Sequence, residues 1–230
     1  MPFRNIIVLC LVTILRPALA DSPQPLQQII ARMDKAAAGF KAMKAHVTYV
    51  THTDVLNEDN TETGTVIMKK IRVGEVQGLV DFVTPDKKTT TFEKRRVQIY
   101  FPKIKTLQIF ELDKYGEQVD KFIMLGFGTS GKELADDYDM TVVGNETVNG
   151  TATTRLQLVP KASNVRQYVT KVELWIPDQG EPYPLRERIS QPSKDYRIAT
   201  YTELEINPSI KADDLQPKLP AGVKKEYPGK

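Results

Sequence analysis

The sequence predicts a mainly β protein: one curled antiparallel sheet of about ten strands, with helices on its concave side. Three observations carry that expectation. From about residue 45 to residue 206, apolar and polar residues alternate with a period of two, the pattern of strands that bury one face. A single stretch with helical spacing precedes them. One apolar segment, residues 114–131, interrupts them, carrying Phe122, Ile123, Met124, Leu125 and Phe127 between Gly116 and the glycines 126, 128 and 131. A sheet with one apolar face must cover it, and this helix-like segment is the expected cover or lid.

The elements follow in order. Residues 1–20 read as a secretory leader: Arg4 in the n-region, an apolar run from Ile6 to Leu15, Pro17, and Ala18-Leu19-Ala20 as the cleavage site. The run is too short to span a membrane, which takes about 20 residues. Cys10 follows Leu9 rather than a small residue and stands too near the start for a lipoprotein acylation site. Residues 21–230 are then expected to form one domain. A helix is predicted over 26–43, where Leu26, Ile29, Ile30, Met33, Ala37 and Phe40 share a face. Strands are predicted over 45–55, 63–73, 78–84, 88–94, 97–101 and 106–111, separated by Pro, Gly, Asn and charged residues. A short helix over 132–137 follows the apolar segment. Strands resume over 139–143 and 152–160, with Asn149-Gly150 as a hairpin turn. In the last three strands, Tyr168, Val172, Leu174 and Ile176 are expected on one face, then Tyr183, Leu185 and Ile189, then Tyr196, Ile198, Leu204 and Ile206. Asn207-Pro208 ends the ladder because proline lacks a donor, and residues 211–230 read as an irregular tail.

Composition and motifs exclude several function classes. The chain has 32 Lys and Arg against 29 Asp and Glu; loss of Arg4 and Arg16 with the leader would leave a net charge near +1. That balance argues against nucleic-acid binding. Beyond Cys10 there is no cysteine, so a processed chain holds no disulfide. His46 and His52 lie six apart on one predicted strand, roughly 20 Å by strand rise, too far to share a metal. Asp136, Asp137 and Asp139 lack the glycine and terminal glutamate of a calcium loop. Ser130 does not sit in a nucleophile elbow, and no histidine follows it. Gly126, Gly128 and Gly131 match a dinucleotide fingerprint in spacing but do not follow a strand. Glu187 between Arg186 and Arg188 reads as ordinary strand charge patterning, and period two sets Trp175 opposite the apolar face of its strand. No catalytic residue, metal site or cofactor is expected, and the chain is not read as an enzyme.

Several segments in fixed order carry a resemblance that spans about Leu26 to Val223. Residues 64–70, Gly-Thr-Val-Ile-Met-Lys-Lys, are similar to a Gly-x-Leu-Trp-Val-Lys-Arg strand. Residues 97–102, Val-Gln-Ile-Tyr-Phe-Pro, are similar to a Leu-Trp-x-Tyr-x-Pro strand, and Leu204-Glu205-Ile206-Asn207 with Leu219-Pro220-Ala221-Gly222-Val223 to a closing segment. Together they resemble the LolA family, periplasmic carriers of outer-membrane lipoproteins in Gram-negative bacteria. The resemblance implies a half-open β-barrel whose concave face binds acyl chains under helices that act as a lid. It implies a periplasmic monomer that ferries lipoproteins or related lipids towards the outer membrane, with an inner-membrane releasing transporter and an outer-membrane acceptor as partners. Family members latch the lid with an arginine on the first of those strands; the matching residue here is Lys70, which lacks the planar fork. The two motif tryptophans are replaced by Ile67 and Gln98, so the chain reads as a divergent member. If Lys70 faces inward, period two brings Val66 and Met68 with it. Val80 and Phe82 are the next cavity candidates, and Phe122, Ile123, Leu125 and Phe127 the lid candidates. The alternative is an envelope module that senses lipoproteins or lipids; such regulators carry a second domain, for which this chain is expected to be too short.

Overall fold

The computed structural model describes residues 24–72, 75–93, 95–112 and 125–228. The expected leader, Phe122 and Ile123 lie outside the described residues. Helix α1 (Leu26–Gly39) opens at Pro25, whose carbonyl accepts from the Gln28 and Ile29 N–H groups at 3.0 and 3.3 Å. It buries Ile29, Met33 and Ala37 at a spacing of four, one stripe of the helix. The helical period runs on to Met43, but the chain turns extended at Phe40. Asn207 ends the helix. Its Oδ1 accepts from Lys41 and Ala42 N–H at 2.7 and 3.2 Å, and its Nδ2 donates to the Gly39 carbonyl at 2.9 Å. A side-chain amide that satisfies these backbone groups offers the chain an alternative to another helical turn.

The strands are β1 (Ala42–Thr53), β2 (Glu58–Arg72), β3 (Glu75–Thr84), β4 (Lys88–Glu93), β5 (Arg96–Phe101) and β6 (Thr106–Glu111). After α2 (Gly131–Asp137) come β7 (Tyr138–Val148) and β8 (Thr151–Pro160). The short α3 (Ser163–Arg166) leads to β9 (Lys171–Pro177), β10 (Arg186–Ser190), β11 (Tyr196–Ile206) and β12 (Lys224–Glu226). All twelve form one sheet in the order β12-β6-β5-β4-β3-β2-β1-β11-β10-β9-β8-β7. Every pair is antiparallel except β12 with β6. The sheet is therefore two meanders, β1 to β6 and β7 to β11, joined where β1 pairs with β11. It curls without closing.

Several local expectations are corrected. Residues 125–128 form a turn rather than a helix, with Gly126 and Gly128 at φ of +78° and +80°. The strand expected over 165–176 starts at Lys171, after α3, and leaves Tyr168 exposed. The tail is not wholly irregular: β12 pairs with β6, Leu215 is buried, and Val223 packs on Tyr100, Leu107 and Ile109. Asn149-Gly150 is the two-residue turn of the β7–β8 hairpin, with both residues at positive φ, as type I′ requires.

The inner face carries the main core. Leu156, Leu158, Val172, Leu174 and Ile176 meet Ile29 and Met33 of α1, Leu134 of α2 and Leu125 of the turn. Ser130 caps α2 with a reciprocal box to Glu133. On the outer face Trp175 is buried by Arg155 and Arg186, whose guanidinium carbons lie 5.8 and 5.6 Å from its ring centre. Its Nε1 donates to Glu146 at 2.7 Å. The face expected for β11 is broken by a bulge. The β1–β11 register shifts between Lys44 and His46, and Glu203 opposite takes φ +51°. Tyr201 therefore joins Leu204 and Ile206 in the inner core. Tyr196 points outward, where it stacks on His52 at 4.4 Å between ring centres; Ile198, two residues on, shares that outward parity.

Gly131 sets how closely the two helices approach. A Cβ there would stand 2.7 Å from the Ile30 carbonyl oxygen and 2.8 Å from its Cα, both backbone atoms that cannot yield alone. Gly131→Val is expected to destabilise the fold by about 1–3 kcal/mol, the usual cost of overpacking, measured as a lower urea midpoint at unchanged slope.

Candidate functional site

The helices cover the inner face over β7 to β10. Over the junction of the two meanders the inner face instead borders a cavity of about 300 Å³. Its walls follow from register. Met43 pairs with Met68, Ala45 with Val66 and Tyr49 with Ala199, so period two turns these side chains to the same side. Val66 in turn pairs with Val80, and Gly78 with Phe92. A Cβ on Gly78 would lie 2.0 Å from Phe92 Cζ, so the missing side chain lets the ring lie across β3 as part of the wall. Ile189 of β10 and Ala199 and Tyr201 of β11 complete the apolar lining.

Tyr201 ties the wall to a cluster of aromatic rings. Phe127, from the turn, stacks on Tyr183 with centroids 5.9 Å apart and meets Tyr201 edge-on at 5.3 Å. Phe40 packs on both Phe127 and Tyr183. One end is polar. Arg197 lies in the wall, and Glu62, cross-strand from Tyr49, is paired with Lys88 at 2.7 Å. The Lys88 ammonium sits over the Phe82 ring, which packs on Tyr49.

The sequence candidates divide accordingly. Val66, Met68 and Val80 lie together in the wall. Phe82 shares their face but stands beside the wall, against Tyr49. Lys70 has the inward parity, yet it lies one alternation past Met68, outside the lining; its N–H donates to the Lys41 carbonyl at 2.8 Å. Leu125 is spent in the α1 core, and Phe127 stands behind the wall, packed on Tyr201. Among the described residues, no three His, Cys, Asp or Glu side chains are grouped to hold a metal, and no helix is long and apolar enough to cross a membrane.

Glu187 is the residue that sequence reasoning misread. Arg186 and Arg188 belong to the outer face, while Glu187 pairs with Leu174 and Ala199 and lines the cavity. The signal is present in the sequence: period two puts Tyr183, Leu185 and Ile189 on one apolar face, and Glu187 shares their parity. Its Oε2 accepts from Tyr201 OH at 3.3 Å. Its Oε1 is sealed from solvent and has no partner. The residue as a whole is half-buried and borders the cavity, so its remaining accessible surface lies away from Oε1. Burial pushes its pKa up to about 8, against the opposing pull of the Tyr201 hydrogen bond. Burial likewise raises Tyr201 and Tyr49, with the Glu187 charge adding to both and Arg197 opposing at Tyr49.

These features can be set beside known proteins. A family model described as predicted periplasmic protein (DUF2092) matches residues 130–225. No curated protein matches by sequence. The chain is similar to the crystal structure of MucB at 15% identity and TM-score 0.51, covering 84% of this chain and 62% of that one. It therefore spans under two thirds of MucB, which has also been solved in complex with MucA from Pseudomonas aeruginosa. An uncharacterised conserved protein from Thermus thermophilus is similar at 14% identity and TM-score 0.50, over 89% of this chain and 99% of that one. A LolA superfamily protein from Nitrosomonas europaea matches at 13% identity and TM-score 0.42, over 84% and 97%. The fold is shared with MucB and the Thermus thermophilus protein. An unclosed, curled sheet with helices against its inner face is the architecture the resemblance implied.

The Glu187 environment predicts how stability depends on pH. The folded state holds this proton up to about pH 8, whereas the unfolded chain releases it near the usual glutamate value of about 4.3. Between those limits the folded state binds more protons, so this group's contribution falls as pH rises and levels off above pH 8. Glu187→Gln is expected to remove that decline, giving a variant more stable than the wild type at pH 9 and nearly equal at pH 4.5. Thermal unfolding across this range checks the sign.

Proposed function

We propose that the protein is a periplasmic carrier that takes an acyl chain of a lipoprotein or related envelope lipid into this cavity and ferries it towards the outer membrane. The observation that carries the reading is the apolar cavity over the meander junction, open inner-face surface that an ordinary closed core would fill. Each methylene buried there gains about 0.8 kcal/mol without specific chemistry. At a water's share of about 30 Å³, the volume suits roughly ten heavy-atom groups. That matches one medium-length chain and not the several of a multiply acylated anchor. The LolA-like architecture and the periplasmic description of the matching family support the same reading. Val66, Met68 and Val80 would line the chain's path, with Phe82 beside it and Phe127 behind Tyr201. Loading from an inner-membrane transporter and release to an outer-membrane acceptor complete the proposed route.

A second reading, an envelope interaction module, is favoured by the similarity to MucB. Native mass spectrometry of protein purified from its own periplasm separates the two. A bound lipidated peptide or lipid is the outcome expected of a carrier; an empty protein that also refuses fluorescent acyl probes would exclude it and leave the module.

Val80→Asp puts a charge in the wall at a half-buried position. It is expected to weaken binding of a fluorescent fatty-acyl probe at least tenfold while circular dichroism stays unchanged. Equal affinity would remove this wall from the binding path.

A further inference from the structure

We propose that Glu187 and Tyr201 form a recognition site for a hydroxyl group, so that the cavity selects a chain carrying a hydroxyl over one that presents only a carboxylate or an ammonium. The inference rests on the cavity reading above and adds the chemistry of the ligand.

A carboxyl that shares a cavity wall with Val66, Val80, Ile189 and Ala199 is costly to bury, and native structures rarely leave such an atom unpaired. Here Oε1 has no partner, and Oε2 has only the Tyr201 hydroxyl at 3.3 Å. An O–H···O bond is usually about 2.7–2.8 Å, so this one is loose. The terminal torsion of a glutamate is soft and two-fold, so either oxygen can turn to the cavity at little cost. Packing does not explain the pair: a leucine would fill the position without the desolvation penalty.

The pair can both donate and accept. Buried as it is, Glu187 holds its proton at neutral pH, and the Tyr201 hydroxyl keeps its own. A ligand hydroxyl also does both. Placed between the two side chains, it would accept from one and donate to the other, replacing one long bond with two short ones. A carboxylate can accept from the pair but has no proton to give back, so it leaves a Glu187 oxygen unpaired and must also shed its own water. An ammonium would have to ionise Glu187 and form a buried ion pair, whose desolvation offsets its attraction. Arg197 does not alter this choice. It precedes Tyr201 by four residues on the same face, about 13 Å along β11, and meets whatever remains at the polar end.

The test uses decan-1-ol, decylammonium and decanoate against the full chain and its variants, by calorimetry or displacement of a fluorescent acyl probe at pH 7. The wild type is expected to bind the alcohol most tightly. Glu187→Leu should lose roughly three- to tenfold in alcohol affinity, one net hydrogen bond, with decanoate unchanged or improved. Glu187→Gln, which still donates and accepts, should keep the preference, separating hydrogen bonding from charge and from folding. Binding of all three with equal affinity, unchanged in Glu187→Leu, would overturn the inference and leave the cavity reading intact. Tightest binding of decylammonium would also overturn it, in favour of an ion pair. Binding of none would remove the cavity reading itself.

Discussion

The dominant constraint is a mismatch of area. Twelve strands at about 4.8 Å spacing make a surface far broader than the roughly 10 Å width of one helix. Helix α1, with fourteen residues, α2 and the 125–128 turn cover the inner face mainly from β7 to β10 among the described residues, and reach the rest only through Ala36, Phe40 and Phe127. Over β1 to β4 and β11 the same apolar alternation continues, but its partner there is a cavity. The strands cannot drop their apolar residues midway, because a curled sheet needs one face to be consistently apolar. The candidate surface is thus the part of an ordinary core pattern that no helix buries among the described residues.

Against that background a glutamate in the wall stands out. Replacing one apolar position in ten with a carboxyl weakens the wall as packing and raises the cost of closing the cavity when it is empty. A fully apolar cavity would tend to collapse or to accept any chain. One with a single dry hydrogen-bonding pair rejects ligands that cannot satisfy it, since the penalty for an unmet polar group exceeds the gain of the bond itself. Selectivity in such a site comes from what is left unpaired by the wrong ligand.

Much of this was legible in the sequence, and the failures have identifiable causes. Strand alternation and Asn149-Gly150 located most of the ladder, because both signals are local. The end of α1 was missed because Asn207, some 165 residues away, supplies the cap. The facing of Tyr196 and Ile198 was missed because one extra residue at Glu203 inverts parity, and a bulge leaves no periodic trace. The parallel pairing of β12 with β6 depends on a partner more than a hundred residues earlier. At the site, Val66, Met68 and Val80 follow from period two. Glu187 follows from it too, but flanking arginines made the segment look solvated, although they lie on the opposite face.

The junction of the meanders has a further consequence. Each meander pairs neighbours in sequence, whereas β1 and β11 meet across some 150 residues. Contacts that close so long a loop form late and raise the contact order that slows folding. A chain emerging N-terminus first would complete β1 to β6 long before β11 arrives to meet them. The cavity straddles this seam, with walls drawn from both sides. It therefore comes into being only with the final docking of the two halves, and a small rotation about the same seam would enlarge it without breaking either meander.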